Sequence, residues 1–141
     1  WEVFVTTVIK KEDKILVLKR TPGKYFGGSY DLPGGKMEYG ETIYQGAIRE
    51  IKEETSLIFK EKEITLMDAI SWVDDFEKTT RYAVCFCFFI EVENDFNKEI
   101  KISKEHEKFE WLEKDDNKID DFIKNIINLC MEKRKNNEFK K

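Results

Sequence analysis

Short runs of apolar and β-branched residues in the first and middle parts of the chain are typical of β-strands. Residues 3–9 and 14–19 are two such runs separated by the polar turn KKED, so they predict a β-hairpin. Residues 64–73 and 79–92 predict two further strands. Because residues 79–92 are apolar at nearly every position, we expect them to form a central strand with both faces covered.

Helical periodicity is present in two segments, from about residue 42 to 55 and from about residue 119 to 133. Residues 21–30 contain one Pro and three Gly and predict a loop, and residues 109–112 predict a short strand. Strands and helices in this order favour a mixed α/β or α+β sandwich. The length suits one hydrophobic core, so we expect a single domain over residues 1–141.

The composition is that of a folded protein. Hydrophobic residues make up 40% of the chain, and eleven Phe, five Tyr and three Trp supply enough bulk to fill a core. The longest apolar run, residues 83–90, is too short to cross a bilayer, and the N-terminus predicts a strand and not a signal peptide. The three cysteines are interpreted as small buried residues in a reducing compartment. These features predict a cytoplasmic protein without a membrane partner.

The charge balance narrows the class of ligand. The formal net charge is −4, whereas a protein that grips a nucleic-acid backbone usually has a basic surface. We therefore expect no nucleic-acid partner. A small phosphorylated substrate held through a bridging metal stays compatible with this charge.

Three glutamates of the first predicted helix share one side of it. On an ideal helix with Arg49 at 0°, Glu53 falls near roughly 40°. Glu50 then falls near roughly 100° and Glu54 near roughly 140°. The adjoining arc carries the residues predicted to face the core, which are Tyr44, Ala47, Ile51 and Thr55. Carboxylates crowded beside a buried face repel one another unless a cation lies among them, and Mg²⁺ prefers such hard oxygen ligands.

Glycines stand before and within this helix. Gly34 and Gly35 allow the backbone to approach a ligand closely. Glu41 directly precedes the helix, whose free N–H groups favour negative charge from a substrate or from Glu41 itself. Gly46 falls inside the acidic arc, where it either leaves room for metal, water or phosphate or meets a packing need for a small residue.

The segment from Gly35 to Leu57 resembles the signature of the Nudix hydrolase family. That signature runs Gly, five residues, Glu, seven residues, Arg-Glu, an aliphatic, any residue, Glu-Glu, any residue, Gly and an aliphatic. The matching positions here are Gly35, Glu41, Arg49, Glu50, Ile51, Glu53, Glu54 and Leu57. The preceding DLPGGK is also similar to the usual lead-in. Ser56 departs from the pattern, which has Gly at a place that we expect to adopt a left-handed conformation after the helix.

The resemblance implies an α/β/α sandwich with a mixed central sheet and MutT-like hydrolysis of a nucleotide's diphosphate linkage with Mg²⁺, or Mn²⁺ as a substitute. It implies that Glu50, Glu53 and Glu54 bind the metal together with a backbone carbonyl of Gly35 or its neighbour. Arg49 would orient these carboxylates, and all four side chains are candidate catalytic residues. The predicted substrate contacts are Gly34, Gly35 and Glu41.

The identity of the general base stays open. The candidates are the glutamates of the signature and two glutamates of a later loop. Glu105 and Glu107 are candidates for a base or an additional ligand, although both also fit solvated charges in a run of Lys and Glu. Members of the family differ in which carboxylate takes this role.

Three other interpretations of function remain. REIKEE alone would fit an ordinary charged helix face, but the Gly-Gly lead-in together with Glu41 and Arg49 at the required offsets argues against this. A non-catalytic nucleotide sensor is a second alternative, which the complete set of carboxylates disfavours. Hydrolysis of ADP-ribose or another nucleotide sugar or dinucleotide is a third.

The substrate that the resemblance favours is a nucleoside triphosphate, which MutT-like enzymes convert to nucleoside monophosphate and pyrophosphate. No proline-rich marker of the NADH or ADP-ribose relatives follows the signature. Several aromatic residues could stack a base, although core or loop packing explains each of them better. These are Phe26, Tyr30, Trp72, Tyr82 and Phe86. A homodimer is compatible with the sequence.

Overall fold

The computed structural model describes residues 1–23 and 28–139, and this part of the chain forms seven strands and two α-helices. In chain order these are β1 (Glu2–Lys11), β2 (Lys14–Arg20), β3 (Tyr30–Asp31), β4 (Gly34–Lys36), α1 (Ile43–Thr55), β5 (Thr65–Phe76), β6 (Thr79–Val92), β7 (His106–Glu113) and α2 (Asp121–Phe139). A single 3₁₀ turn, Glu61–Glu63, links α1 to β5.

The strands form one mixed sheet whose main path is β3-β2-β1-β6-β5. β1 and β6 are parallel and pair over ten residues, from Glu2 opposite Ala83 to Lys11 opposite Val92. On its other edge, β1 pairs with β2 near one end and with the short β4 near the other. β7 runs antiparallel along the free edge of β2. This arrangement confirms the mixed central sheet.

The two helices lie on opposite faces of the sheet, which confirms the α/β/α sandwich. Phe88 and Ile90 of β6 pack with Ile51 of α1 in one core, which we call the α1-side core. Phe89 of β6 packs with Ile127 of α2 in the other, the α2-side core. β6 therefore buries side chains on both faces, as its almost continuous apolar sequence predicts.

The three cysteines belong to the α2-side core. Cys85 and Cys87 are two residues apart on β6 and so share one face of the sheet, and Cys130 of α2 packs against that face. All three are buried free thiols, as expected for small apolar residues. No helix in residues 1–23 and 28–139 is both long enough and apolar enough to span a membrane.

Element boundaries differ from the sequence predictions where tertiary pairing extends a strand. β5 reaches Phe76 because the hairpin closes through Glu77 and Lys78, which both have positive φ, at 50° and 65°. Two consecutive residues with positive φ give a turn whose twist matches that of the two paired strands. β7 begins three residues before the predicted strand at 109–112 because its first residues pair with the end of β2. α2 is shifted relative to the predicted helix and ends at Phe139.

The ends of α1 are fixed by local hydrogen bonds. At its start, the Thr42 side chain accepts from the Gln45 backbone N–H while the Gln45 side chain accepts from that of Thr42, which is a capping box. At its end, Ser56 has φ 70° and its N–H donates to the Lys52 carbonyl. The left-handed position expected of the signature glycine is therefore kept by a serine. The Ser56 hydroxyl also donates to the Lys101 carbonyl at 3.0 Å.

This second bond changes the effect expected of a glycine at this position. Ser56→Gly relieves about 1 kcal/mol of left-handed strain but loses a hydrogen bond worth about 1 kcal/mol. We expect its free energy of unfolding to stay close to that of the wild type, whereas Ser56→Ala, which keeps the strain, should lose about 1 kcal/mol. Urea unfolding of the three proteins measures both differences. A gain of about 1 kcal/mol in Ser56→Gly would show that the bond to Lys101 contributes nothing.

Candidate functional site

A cleft of about 480 Å³ opens where β4, the side of α1 and the segment before β7 meet. Six residues predicted from the sequence line it: Gly34, Gly35, Glu50, Glu53, Glu54 and Glu105. Four lining residues were not predicted: Arg20, Lys36, Ser103 and Lys104. The structure thus brings the predicted glycines and carboxylates together with cations from separate parts of the chain.

The two glycines lie between β1 and α1, where side chains would not fit. A Cβ atom on Gly34 would lie 2.3 Å from the Val5 carbonyl oxygen, which is on the paired strand β1. A Cβ atom on Gly35 would lie 2.6 Å from the carboxyl carbon of Glu50. Glycine is therefore required at Gly34, where a side chain would meet the backbone of β1, whereas a side chain at Gly35 would displace the Glu50 carboxylate.

Arg49 binds several carboxylates at once. Its Nε and Nη2 donate to the two carboxylate oxygens of Glu41 at 2.9 and 2.7 Å. Its Nη1 donates to Glu50 at 2.8 Å and to Glu53 at 3.3 Å. Nη2 also donates to the Lys36 carbonyl at 3.2 Å, which ties the helix to β4. The guanidinium thereby holds the acidic side of α1 in one arrangement.

Glu41 faces Arg49 and is not among the residues that line the cleft. The hydrogen bonds from Arg49 lower the pKa of Glu41, with a backbone bond from Glu38 adding to the effect. Its predicted contact with substrate stays a prediction. In the structure, the Glu41 carboxylate accepts two hydrogen bonds from the Arg49 guanidinium, which also holds Glu50 and Glu53.

The three glutamates of α1 differ in exposure. The Glu53 side chain is 56% exposed, whereas the Glu54 side chain is 7% exposed and accepts a 2.7 Å hydrogen bond from the Gly34 N–H. Burial raises the pKa of Glu54 to about 8, and the nearby charges of Glu50 and Glu105 add to this. Burial also raises the pKa of Glu50, although Arg49 opposes it. The order of exposure follows the helix angles, because Glu54 lies closest to the core-facing stripe and Glu53 farthest from it.

These residues suit a hard divalent cation. They offer only oxygen donors, and burial raises the pKa values of Glu50 and Glu54, so that a bound cation would stabilise the ionised form of both carboxyl groups. Gly35 leaves its backbone open beside the Glu50 carboxylate. Within residues 1–23 and 28–139, however, no three such side chains already form a metal cluster. Glu50 and Glu53 are turned to Arg49 and Glu54 to Gly34.

The two glutamates predicted in a later loop, Glu105 and Glu107, differ in their position relative to the cleft. Glu105 lines the cleft, and the chain around it is fixed because the Thr21 N–H donates to the Glu105 carbonyl at 3.0 Å. The Thr21 hydroxyl donates to the neighbouring Lys104 carbonyl at 3.1 Å. Glu107 lies in strand β7 and not in a loop, is outside the cleft lining and pairs with Lys19 at 3.1 Å. Of the two loop candidates, the geometry therefore favours Glu105.

Three cations line the cleft together with the carboxylates. Arg20 ends β2 and pairs with Asp31 at 2.5 Å, and Lys36 ends β4 and pairs with Glu2 at 3.3 Å. Lys104 is exposed in the segment before β7. These residues follow no common spacing in the sequence, so no local pattern could identify them. Lys36 alone had a signal, since it ends the DLPGGK lead-in.

Gly46 meets a packing need. It is buried, and a Cβ atom there would lie 2.4 Å from the Met37 sulfur and 3.1 Å from a Glu41 carboxylate oxygen. The structure therefore favours the packing interpretation over an opening for metal or phosphate.

The aromatic candidates for base stacking are placed in packing positions. Trp72 contacts the α2-side core, Phe86 contacts the α1-side core, and the buried Tyr30 donates a hydrogen bond from its hydroxyl. Tyr82 is half exposed. None of these four described residues lines the cleft, and Phe26 lies outside the described residues.

Comparisons with known proteins agree with this geometry. A sequence model of the NUDIX domain matches residues 2–130. An ADP-ribose pyrophosphatase of Methanocaldococcus jannaschii is 48% identical over 62 residues, which are 44% of this chain and 36% of the relative. An 8-oxo-dGTP diphosphatase of Proteus vulgaris is 30% identical over 64 residues, which are 45% of this chain and 55% of the relative. The matches therefore span about a third and about half of these relatives.

A solved structure shares the fold. It is a bifunctional NMN adenylyltransferase/ADP ribose pyrophosphatase of Francisella tularensis, complexed with AMP and a manganese ion. The TM-score is 0.76 at 20% sequence identity, and the match covers 93% of this chain and 41% of that one. At this identity the likeness concerns the fold alone.

The raised pKa of Glu54 predicts how stability without metal depends on pH. Between about 4.5 and about 8, the folded protein holds a proton on Glu54 that the unfolded chain has released. The free energy of unfolding should therefore fall as the pH rises through this range, by up to about 1.4 kcal/mol per pH unit. The fall should be shallower in Glu54→Gln, because its amide does not titrate and its oxygen can still accept the Gly34 N–H. Chemical unfolding in chelator across this pH range measures it.

The exposed Glu63 provides a matched control, because Glu63→Gln makes the same change outside the cleft. Its pH slope should equal that of the wild type. A Glu54→Gln variant with an unchanged slope would show that Glu54 is ionised in the folded protein at neutral pH.

Proposed function

Because the chain belongs to the Nudix family, we propose that it hydrolyses the diphosphate linkage of a nucleotide with a divalent cation as cofactor. The observation that carries this proposal is the set of carboxylates that Arg49 and Gly34 hold at one cleft beside Gly35. The matched relatives are longer than the matched segments, so the activity is inferred from this site and not from their names.

The proposed cofactor is Mg²⁺, with Mn²⁺ as a substitute. Glu50, Glu53, Glu54 and the Gly35 carbonyl would hold it. The bound cation would supply charge neutralisation on the phosphates and a lowered pKa for water. The complex from Francisella tularensis contains a manganese ion, which is in keeping with a divalent cation as cofactor. Arg49 keeps the carboxylates oriented through its hydrogen bonds.

The other residues of the cleft suit the remaining tasks of the reaction. Lys36, Lys104 and Arg20 are cations that would bind substrate phosphate oxygens beyond those at the metal. Water adds its oxygen to one phosphorus, the bridging P–O bond breaks, and one proton must leave the attacking water. Glu105 lies in the cleft on a backbone fixed by Thr21 and is our candidate to accept that proton.

A nucleoside triphosphate is the first candidate substrate. The DLPGGK lead-in and the similarity to an 8-oxo-dGTP diphosphatase support a MutT-like reaction, which releases nucleoside monophosphate and pyrophosphate. A cytoplasmic location, a homodimer and the lack of nucleic-acid and membrane partners stay predictions from the sequence.

ADP-ribose is the second candidate substrate, favoured by the 48% identity to the pyrophosphatase of Methanocaldococcus jannaschii. Its hydrolysis would give AMP and ribose 5-phosphate. Both candidates place a diphosphate across the same carboxylates and cations, so the cleft as described serves either reaction.

The central proposal predicts a large effect at Glu53. Glu53→Gln keeps the shape of the side chain but removes a charge from the cation site, so kcat should fall at least about a hundredfold. The fold should be unaffected because this side chain is largely exposed. Steady-state release of nucleoside monophosphate with Mg²⁺ measures kcat. Full activity in Glu53→Gln, or wild-type turnover that survives a chelator, would refute the catalytic proposal.

Glu63→Gln is the matched control for this experiment. Glu63 lies outside the cleft, and its carboxylate accepts the Lys60 N–H, a bond that a glutamine oxygen can also make. We expect kcat and KM of this variant within about twofold of the wild type, since exposed charges far from a site contribute little.

A substrate panel separates the candidates. Nucleoside triphosphates, including 8-oxo-dGTP, and ADP-ribose are incubated with the protein and Mg²⁺, and the products are separated by ion-exchange chromatography. We expect kcat/KM for the best triphosphate to exceed that for ADP-ribose, with pyrophosphate as product. A higher value for ADP-ribose would select the second candidate, and tight nucleotide binding without turnover would select the sensor.

A further inference from the structure

His106 is a buried histidine whose ring has no hydrogen bond. Its side chain is completely buried, and neither Nδ1 nor Nε2 has a hydrogen-bond partner among the described residues. Buried polar groups are nearly always hydrogen-bonded, because leaving one unpaired costs its lost hydration. The polar atom that faces this ring is Oε2 of Glu54, which lies 3.6 Å from Nδ1.

A β-bulge directs His106 toward the cleft. Along β7, Trp111 pairs with Leu16 on the α1 face of the sheet, and Lys108 pairs with Lys19 on the other face. Strict alternation would place His106 on the same face as Lys108. The register shifts after Lys19, however, so that His106 pairs with Arg20, a residue that lines the cleft. The extra residue of the bulge thus re-aims the imidazole.

The backbone around His106 is fixed on both sides. Its N–H donates to the Ser103 carbonyl at 3.2 Å, and the preceding Glu105 carbonyl accepts the Thr21 N–H at 3.0 Å. The ring therefore has little freedom to move away from Glu54. Its position depends on the sheet and not on a mobile surface loop.

Among the described residues, a single hydrogen bond holds the Glu54 carboxylate, and it reaches one of the two oxygens. Oε1 accepts the Gly34 N–H at 2.7 Å, and Oε2 is the oxygen that faces His106. An imidazole carries at least one N–H in either protonation state, so it can serve as the second donor. A movement of a few tenths of an ångström would bring Nδ1 within hydrogen-bond range of Oε2.

We propose that His106 is a positioning residue, which donates a hydrogen bond from Nδ1 to Oε2 of Glu54 and so orients this carboxylate toward the cation. The inference rests on the proposed function, because it assigns Glu54 to the cation site. Groups that orient metal ligands in this way typically change metal affinity 10- to 100-fold when they are removed.

Two amide variants test which ring nitrogen matters. His106→Asn places an N–H near the position of Nδ1, whereas His106→Gln places it near that of Nε2. We expect His106→Asn to bind Mn²⁺ within about threefold of the wild type and His106→Gln to bind it at least about tenfold more weakly. Water-proton relaxation measures Mn²⁺ affinity without substrate, and thermal unfolding confirms that each variant is folded. Equal Mn²⁺ affinity in His106→Gln and the wild type would overturn the proposal.

An apolar variant separates positioning from packing. His106→Phe fills the site without a donor, so Mn²⁺ binding should weaken at least about tenfold, while thermal unfolding in chelator shows that the variant is folded. In turnover, kcat should fall more than KM rises. If His106→Phe does not fold, the Asn and Gln pair still decides between the outcomes. In a Glu54→Gln background, the additional change His106→Phe should no longer alter Mn²⁺ affinity. An undiminished loss of Mn²⁺ affinity in that background would also overturn the proposal.

The outcomes distinguish this inference from the proposed function. If the wild-type protein binds Mn²⁺ but hydrolyses no nucleotide, the proposed enzymatic activity is refuted, while the Mn²⁺ affinities of the His106 variants still test the role of His106. Wild-type turnover together with unchanged Mn²⁺ affinity in both His106→Gln and His106→Phe would refute the role of His106 alone.

Discussion

The close approach of β4 to the backbone of β1 and to one carboxylate of α1 decides where the cleft can form. β4 lies between β1 and α1, and neither Gly34 nor Gly35 has space for a side chain, since one faces the Val5 carbonyl and the other the Glu50 carboxylate. This contact draws the acidic side of α1 against a strand of the sheet. It also places the Gly34 N–H where it can hold Glu54. A side chain at Gly34 would push β4 away from β1, and one at Gly35 would displace the Glu50 carboxylate from its place in the cleft.

The features predicted correctly are those encoded within one element. The helical period places Ala47 and Ile51 toward the core, and the structure buries both. The continuous apolar sequence of β6 predicts burial on two faces, which the two cores confirm. The resemblance predicted the Nudix fold and a left-handed position after α1, and Ser56 adopts it. The graded exposure from Glu53 to Glu54 also follows from their angles on the helix.

The features that escaped prediction depend on pairing between distant segments. β4 is a strand only because Gly34–Lys36 lies beside β1, and its composition favours a turn. Arg20, Lys36 and Lys104 meet in the cleft from three segments without a shared spacing. Strand alternation alone would place His106 on the other face of the sheet. It lies on the α1 face because of the β-bulge, which depends on how β7 pairs with β2. Local periodicity holds no information about such contacts.

Two anchors restrict how the chain length can vary near the cleft. Lys101 is bound to the end of α1 through Thr55 and Ser56, and Glu105 is bound to β2 through Thr21. The short stretch between these anchors must therefore span a fixed distance, and an insertion there would displace Glu105 from the carboxylates of α1. Residues 97–99, by contrast, are exposed and precede the first anchor. Insertions and deletions in this part of the chain should therefore be tolerated before Lys101, where a longer or shorter surface segment leaves the cleft unaltered.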